Sequence, residues 1–297
     1  MSRPKIEDFD PEVMRLFDHY VHGRIDRRGF LQAASRHARA GVTAAMLLEA
    51  LSPRFAQAQQ VRADDPRLIT RFVEIESPTG YGMVRGYLVK RQDATGALPG
   101  VMVVHENRGL NPHIEDVARR LALEKFVVFA PDALSPLGGY PGDEDRARAA
   151  FATLDQAKTH EDFAAAAQWL RARSDVGPRV GVVGFCYGGS MANALAVRLP
   201  WLAAAVPFYG GSQPPSGDVA KIKASVLIHN AESDDWVNPG AAAYAQALAA
   251  AGVRHRVYTY AGTLHGFHND TTPRYNEVAA HLAWQRTLTL FNEELRA

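Results

Sequence analysis

Val180-Gly181-Val182-Val183-Gly184-Phe185-Cys186-Tyr187-Gly188-Gly189 decides the fold. An apolar, β-branched run ends in Gly-x-Cys-x-Gly-Gly, and residues 190–198 continue in an alanine-rich helical pattern. A strand that bends sharply into a helix strains the backbone at the bend and brings its flanks close, so small residues are required on either side. Gly184 and Gly188 meet that requirement. The bend lifts the Cys186 sulfur above a sheet and onto a helix N-terminus, where the helix dipole favours thiolate, the reactive form of the side chain. The competing reading, a buried structural cysteine, leaves the glycine spacing unexplained. A phosphate loop of the Walker type is excluded because the segment has no lysine.

Outward from this elbow, apolar β-branched runs at 71–76, 84–89, 101–105, 126–130, 180–183, 203–208, 225–229 and 256–260 predict eight strands. Helical patterns lie between several of them. Asn111-Pro112 opens one, and Thr159-His160-Glu161-Asp162 reads as a capping box for another. Further helices are expected near 143–158, 187–198, 240–251 and 273–295. Strands alternating with helices predict an α/β fold, with a mainly parallel sheet covered on both faces.

The chain has 297 residues, 47% of them hydrophobic and 22% charged, which excludes wholesale disorder. Its 33 basic and 32 acidic side chains nearly cancel, so no broad basic footprint for nucleic acid or an anionic membrane is present. The expected partner is a small molecule recognised locally. One cysteine excludes an internal disulfide and every multi-cysteine metal site, while 11 histidines leave other metal chemistry open. Uncharged stretches such as 180–197 and 199–217 are broken by glycine or proline and predict core strands, not membrane spans.

Residues 1–60 stand apart from this pattern. Asp10-Pro11 caps a helix with Val13, Leu16, Phe17, Tyr20 and Val21 on one face; Gly23 ends it, and Asp26 caps a second helix running towards Pro53. The same region contains Asp26-Arg27-Arg28-Gly29-Phe30-Leu31-Gln32, similar to a twin-arginine export signal, an apolar run over 40–48 and a small-residue site at Ala56-Gln57-Ala58. Arg36, His37, Arg39 and Glu49 interrupt the uncharged core that such a signal needs. A retained helical arm in a cytoplasmic protein is the expectation, with periplasmic export and removal of the leader as the alternative.

A cysteine nucleophile needs a base and a group to orient it. In a strand–elbow–helix architecture these follow in the order nucleophile, acid, histidine. Asp234 is the expected acid, ahead of Asp235 and Glu232 in the same loop, and His265, followed by Gly266, is the expected base, with His268 as the alternative. A metal held by His265 and His268 is a weaker reading, because it leaves the elbow unexplained. His105, His113 and His229 read as structural. The loop His105-Glu106-Asn107-Arg108-Gly109 follows a strand, so the amides of Asn107 and Tyr187 are expected to form the oxyanion hole. Glu106 beside them is expected to accept the thiol proton, with an ordinary strand-end acid as the alternative.

At these residues, from about 70 to the end, the sequence resembles the dienelactone hydrolase family of α/β-hydrolases. The resemblance rests on Glu106, Gly-Phe-Cys-Tyr-Gly-Gly around Cys186, Asp234, and His265-Gly266-Phe267. It implies an α/β-hydrolase fold, hydrolysis of an enol lactone such as dienelactone to maleylacetate, and no cofactor or metal. It makes Cys186 the nucleophile, His265 the base and acid, Asp234 its orienter, and Glu106 the group that keeps the thiol quiet until substrate arrives. Arginines of the family clamp the substrate carboxylate, one of them shortly after the histidine. Here Asn269 holds that place, leaving Arg274, Arg146 or Arg148 as candidates. Tyr140, Phe208, Tyr209 and Trp236 are candidates for lining the pocket, with core packing as the equal alternative.

Overall fold

The structure, a computed structural model, describes residues 4–38 and 41–296. Arg39 and Ala40, where the apolar run of the export reading begins, lie outside them.

The arm contributes α1 (Pro11–Val21), α2 (Arg27–Ala34), α3 (Ala44–Leu51) and the short α4 (Phe55–Ala58). Strands β1 (Leu68–Ser77), β2 (Gly82–Arg91) and β3 (Leu98–Val104) follow, then α5 (Pro112–Leu123), β4 (Val127–Pro131), α6 (Glu144–Phe151), α7 (Gln156–Arg171) and β5 (Val176–Phe185). The chain continues through α8 (Tyr187–Arg198), β6 (Ala204–Phe208), α9 (Ser216–Val219), β7 (Ser225–Ser233), α10 (Asn238–Ala250), β8 (His255–Leu264) and α11 (Glu277–Leu295). The eight strands form one sheet in the order β1-β2-β4-β3-β5-β6-β7-β8. The β1–β2 and β2–β4 pairs are antiparallel and every other pair is parallel. This is an α/β-hydrolase sheet.

Alternation along the strands feeds two cores. Met102, Val104, Phe129 and Val182 pack with Phe163 and Leu170 of α7 and with Met191 and Leu195 of α8. Val101, Val103, Val128, Val183 and Phe185 face the other way, towards Ile114, Val117 and Leu121 of α5 and Phe291 of α11. Both faces are therefore closed to water, as a parallel sheet requires. The arm has its own core, in which Val13, Leu16, Phe17 and Tyr20 of α1 meet Phe30, Ala34, Leu48 and Leu51.

Three local expectations are corrected. The capping box at residues 159–162 lies inside α7. Asp155 caps that helix instead, accepting from the amides of Ala157 and Lys158 at 2.9 and 3.3 Å, while Thr159 and Asp162 are buried on its inner face. The helix expected over 143–158 is two helices, α6 and the start of α7, separated by a turn at Ala152–Asp155. In the arm, the helix capped by Asp26 stops at Ala34 rather than running to Pro53. The twin-arginine stretch opens α2, with both arginines exposed and Arg27 ion-paired to Asp145 at 3.2 Å. No described helix is long and apolar enough to cross a membrane.

Candidate active site

Cys186 is both the N-cap of α8 and the bend after β5, with φ 55° and ψ −112°. A positive φ costs a non-glycine residue of order 1–3 kcal/mol, a cost met only where the surroundings over-determine it. Here backbone contact does so. A Cβ on Gly184 would stand 1.9 Å from the carbonyl oxygen of Gly188, and one on Gly188 would stand 2.2 Å from that of Val104. The half-buried sulfur is thereby held at the C-terminal edge of the sheet, above the amino end of a 12-residue helix.

The loops after β7 and β8 deliver the expected partners. Asp234 Oδ2 accepts from His265 Nδ1 at 2.7 Å, and both residues are buried. Asp234 Oδ1 accepts from the amides of Trp236 and Val237 at 3.0 and 3.2 Å, which fixes the carboxylate. Burial would raise the Asp234 pKa, but the hydrogen bond and charge of His265 overcome this and hold it below the usual range. Asp235 and Glu232 are exposed, and Glu232 accepts from the amide of Gly262 instead. His268 is buried against Phe185, with ring centroids 5.1 Å apart, and burial pushes its pKa down to about 3. It lies outside the cluster around the sulfur, so the His265–His268 metal pairing is not the arrangement found.

A second Asp–His pair also reaches the sulfur, and it comes from the arm. His22, at the end of α1, has its Nε2 3.3 Å from His265 Nε2. A ring nitrogen of each histidine and the Cys186 sulfur all lie within 4.8 Å of one another. His22 Nδ1 donates to the Asp18 carbonyl at 2.8 Å and lies 3.3 Å from Asp18 Oδ1. The ring stacks on Trp236 at 4.4 Å, and Trp236 Nε1 donates to Asp18 Oδ2 at 2.8 Å. The end of α1 is held by groups of the α/β unit: Asn107 Nδ2 donates to the Val21 carbonyl at 3.1 Å and Arg148 to that of Tyr20. Burial alone would raise the Cys186 pKa, but His265 and a hydrogen bond from His22 bring it down to about 6. His265 moves the other way: burial opposes its charge, yet Cys186 and Asp234 carry it up to about 10. His22 is also raised, because Asp18 and Cys186 outweigh its burial.

Two hollows meet at the sulfur, and His22, Asn107, Cys186 and His265 line both. One, of about 340 Å³, is lined by Phe17, Tyr20, Glu106, Arg108 and Arg274. The other, of about 740 Å³, is lined by Tyr187, Met191, Tyr209 and Trp236. Glu106 accepts from Asn269 Nδ2 at 3.0 Å, while the hydrogen bonds of the sulfur go to the two imidazoles. Arg274 is buried 3.6 Å from Asp18 Oδ1, and its Nε and Nη1 have no hydrogen-bond partner. Arg108 Nε is also without one, although Glu144 stands 3.4 Å away. Arg146 is exposed and lines neither hollow, and Arg148 holds the arm, so neither stands where a substrate clamp was expected.

Tyr140 lines the smaller hollow and donates to Glu144 at 2.9 Å. Tyr209 is fully buried with its ring 4.9 Å from His265, and Phe208 belongs to the core. The Tyr187 ring packs against Phe151 at 4.7 Å, leaving its amide at the first turn of α8. His105 and His229 are structural, the first accepting from the amide of Ala133 and the second bonded to Tyr260. His22, Asp18 and Arg108 escaped the sequence reading. The only trace of the first two is their i,i+4 spacing at the end of an amphipathic helix, a pattern shared with many solvated pairs.

Comparison with known proteins gives the family. Residues 84–295 match the model of the "Dienelactone hydrolase family", and residues 1–39 match a second model, "YqhI-like". The "Putative hydrolase fragment YghX" of Escherichia coli (strain K12) is 51% identical over 107 residues, 36% of this chain and 92% of that one. A "Probable 2-oxo-3-(5-oxofuran-2-ylidene)propanoate lactonase" of Bradyrhizobium sp. is 32% identical over 211 residues, covering 67% of this chain and 85% of the lactonase. A crystal structure of a "Putative Dienelactone Hydrolase" from Klebsiella pneumoniae superposes with a TM-score of 0.67 at 26% identity, covering 76% of this chain and 99% of that chain.

Proposed function

Because the chain belongs to the dienelactone hydrolase family and is a carboxylic ester hydrolase, we propose that it opens enol lactones bearing a carboxylate, through a thioester on Cys186. The observation that carries this reading is the sulfur at the elbow, hydrogen-bonded to a histidine that is itself anchored by Asp234. In the proposed cycle the Cys186 thiolate attacks the lactone carbonyl, and the amides of Asn107 and Tyr187 stabilise the resulting oxyanion. Such donors are worth about 3–4 kcal/mol each. The ring C–O bond then breaks, and the enolate leaves and takes a proton from the imidazolium. Neutral His265 next removes a proton from water, the hydroxide adds to the thioester, and the C–S bond breaks to return thiolate and imidazolium. Asp234 orients His265 throughout.

The lactone class is supported by the relative whose name specifies a furanone ring with an exocyclic double bond and a carboxylate. Arg274, buried with unpartnered donors in the smaller hollow, is the proposed carboxylate ligand, and Arg108 lines the same hollow. A panel of lactones and simple aryl esters, with intact-mass detection of an acyl-enzyme, tests the reading. Aryl esters turned over far better than any acidic lactone would overturn the substrate assignment.

Arg274→Gln is expected to raise KM for a carboxylate-bearing lactone by about 10- to 150-fold, the equivalent of about 1.5–3 kcal/mol for a hydrogen bond to a charged group. KM for a neutral ester should hold. An equal rise for both substrates would place Arg274 in the scaffold instead.

The pH profile follows from the ion pair. Thiolate is present above about 6 and the partner imidazolium below about 10. The kcat/KM of the free enzyme should therefore rise through about 6, stay level, and fall towards 10. A profile flat from pH 5 to 7 contradicts the assignment.

A further inference from the structure

We infer that His22, Cys186 and His265 together form a zinc site, completed by the arm, at which Zn2+ switches the enzyme off. Binding is argued from ligand geometry alone; its effect on turnover rests on the proposed role of Cys186.

The three groups are zinc ligands of the ordinary kind, two imidazoles and a thiolate, with room for a water in the fourth position. Two nitrogens each about 2.05 Å from a tetrahedral zinc stand about 3.3 Å apart. The Nε2 atoms of His22 and His265 are separated by 3.3 Å. The sulfur and a ring nitrogen from each histidine already fall within 4.8 Å of one another, so closing on a metal needs only small side-chain rotations.

The surroundings fit as well. Zinc-binding histidines almost always present the second ring nitrogen to a carboxylate or a carbonyl, which fixes the tautomer and leaves the other nitrogen for the metal. Both histidines do so here. His265 Nδ1 is on Asp234 at 2.7 Å, while His22 Nδ1 is on the Asp18 carbonyl at 2.8 Å with the Asp18 carboxylate 3.3 Å away. Asp18 is in turn held by Trp236 Nε1 at 2.8 Å, and the stack on Trp236 fixes the ring plane of His22. The two hollows meeting at the sulfur supply an entry path. A catalytic triad needs one Asp–His pair, and the second, whose Nε2 stands 3.3 Å from that of His265, makes or breaks no bond in the cycle above.

In the binding step the sulfur and both Nε2 atoms each give a lone pair to Zn2+, and every proton held at the two Nε2 atoms goes to solvent. The lone pair that would attack the carbonyl is then engaged, and His265 can no longer take a proton from water.

The test uses the full chain, metal-free, titrated with Co2+ and with Zn2+ alone. Co2+ should produce a sulfur-to-cobalt charge-transfer band in the near ultraviolet that saturates at one equivalent. Zn2+ should displace the cobalt and abolish turnover at the same stoichiometry, and a chelator should restore it. Cys186→Ser should remove the band. Asp18→Asn, which removes the carboxylate 3.3 Å from His22 Nδ1 but keeps the backbone carbonyl that accepts from it, should weaken Co2+ binding by no more than about 10-fold, and His22→Gln should weaken it more. His281→Ala, at an exposed position on α11, controls for adventitious surface binding and should change nothing. No band at one equivalent, or a band of unchanged affinity in His22→Gln, overturns the proposal. Hydrolysis is measured separately on metal-free enzyme: a chain that shows the band and opens no lactone overturns the proposed function and leaves the zinc site standing.

Discussion

Cys186→Ala is expected to lower kcat/KM on an enol lactone by about 10⁴–10⁶-fold, the range seen when the nucleophile of a cooperating triad is removed. The sulfur is the only group at the elbow able to form a covalent acyl intermediate, so the variant should show no mass adduct after mixing with substrate. What remains should come from oxyanion stabilisation and binding, which persist without a nucleophile. Stability should be little changed, since the side chain is only half-buried and the strained elbow is set by backbone contacts that alanine keeps. His265 gives an independent readout. Its pKa is raised largely by the facing thiolate, so losing the sulfur should lower it, visible by NMR titration of the imidazole. Retention of more than about a hundredth of the parent activity, with a normal melting curve, would mean that a histidine activates water directly and that no thioester forms.

The elbow was the most legible feature because its constraints are local. Gly-x-Cys-x-Gly-Gly after a β-branched run specifies strand, bend and helix with no reference to the remainder of the chain, and α8 begins at Tyr187 as expected. The central strands β3–β7 were legible for a related reason: strands buried on both faces carry continuous apolar runs, whereas β1 and β8 at the sheet's edges are largely exposed and were legible from their β-branched and aromatic residues. Boundaries set by competing caps were not. Asp155 and Thr159 are both good caps by type, and the burial of Thr159 decided between them. His22 was beyond reach altogether. Its neighbours in the folded chain are Trp236, His265 and Cys186, more than 160 residues away in sequence, and only docking of the arm brings them together. The conflict between a leader and a retained helix arises from the same segment: exposed Arg27 and Arg28 satisfy a motif, while Phe30 between them and Ala34 forms part of an apolar core with Phe17 and Tyr20.

The second large effect concerns the backbone rather than a reacting group. Gly184→Ala is expected to destabilise the protein by more than about 4 kcal/mol, the tail of the distribution for single substitutions. At about 2–4 °C per kcal/mol for a chain approaching this size, the melting temperature should fall by about 8–16 °C or more. The added Cβ would lie 1.9 Å from the oxygen and 2.3 Å from the carbon of the Gly188 carbonyl. These atoms cannot rotate aside as a flexible side chain could. Gly188 is crowded in its turn, since a Cβ built on it would stand 2.2 Å from the Val104 carbonyl oxygen at the end of β3, leaving the helix start little room to shift. Relief therefore requires opening the β5–α8 bend, which would shift Cys186 away from both histidines, so the folded fraction should be inactive as well as unstable. Gly217→Ala is the matched control. A Cβ there meets no atom within 4 Å, and the position lies in the short helix α9, so alanine should be neutral or stabilising by up to about 1 kcal/mol. If Gly184→Ala melts within a few degrees of Gly217→Ala and keeps its turnover, glycine at this position is not what holds the sulfur in place, and the steric account of the elbow fails.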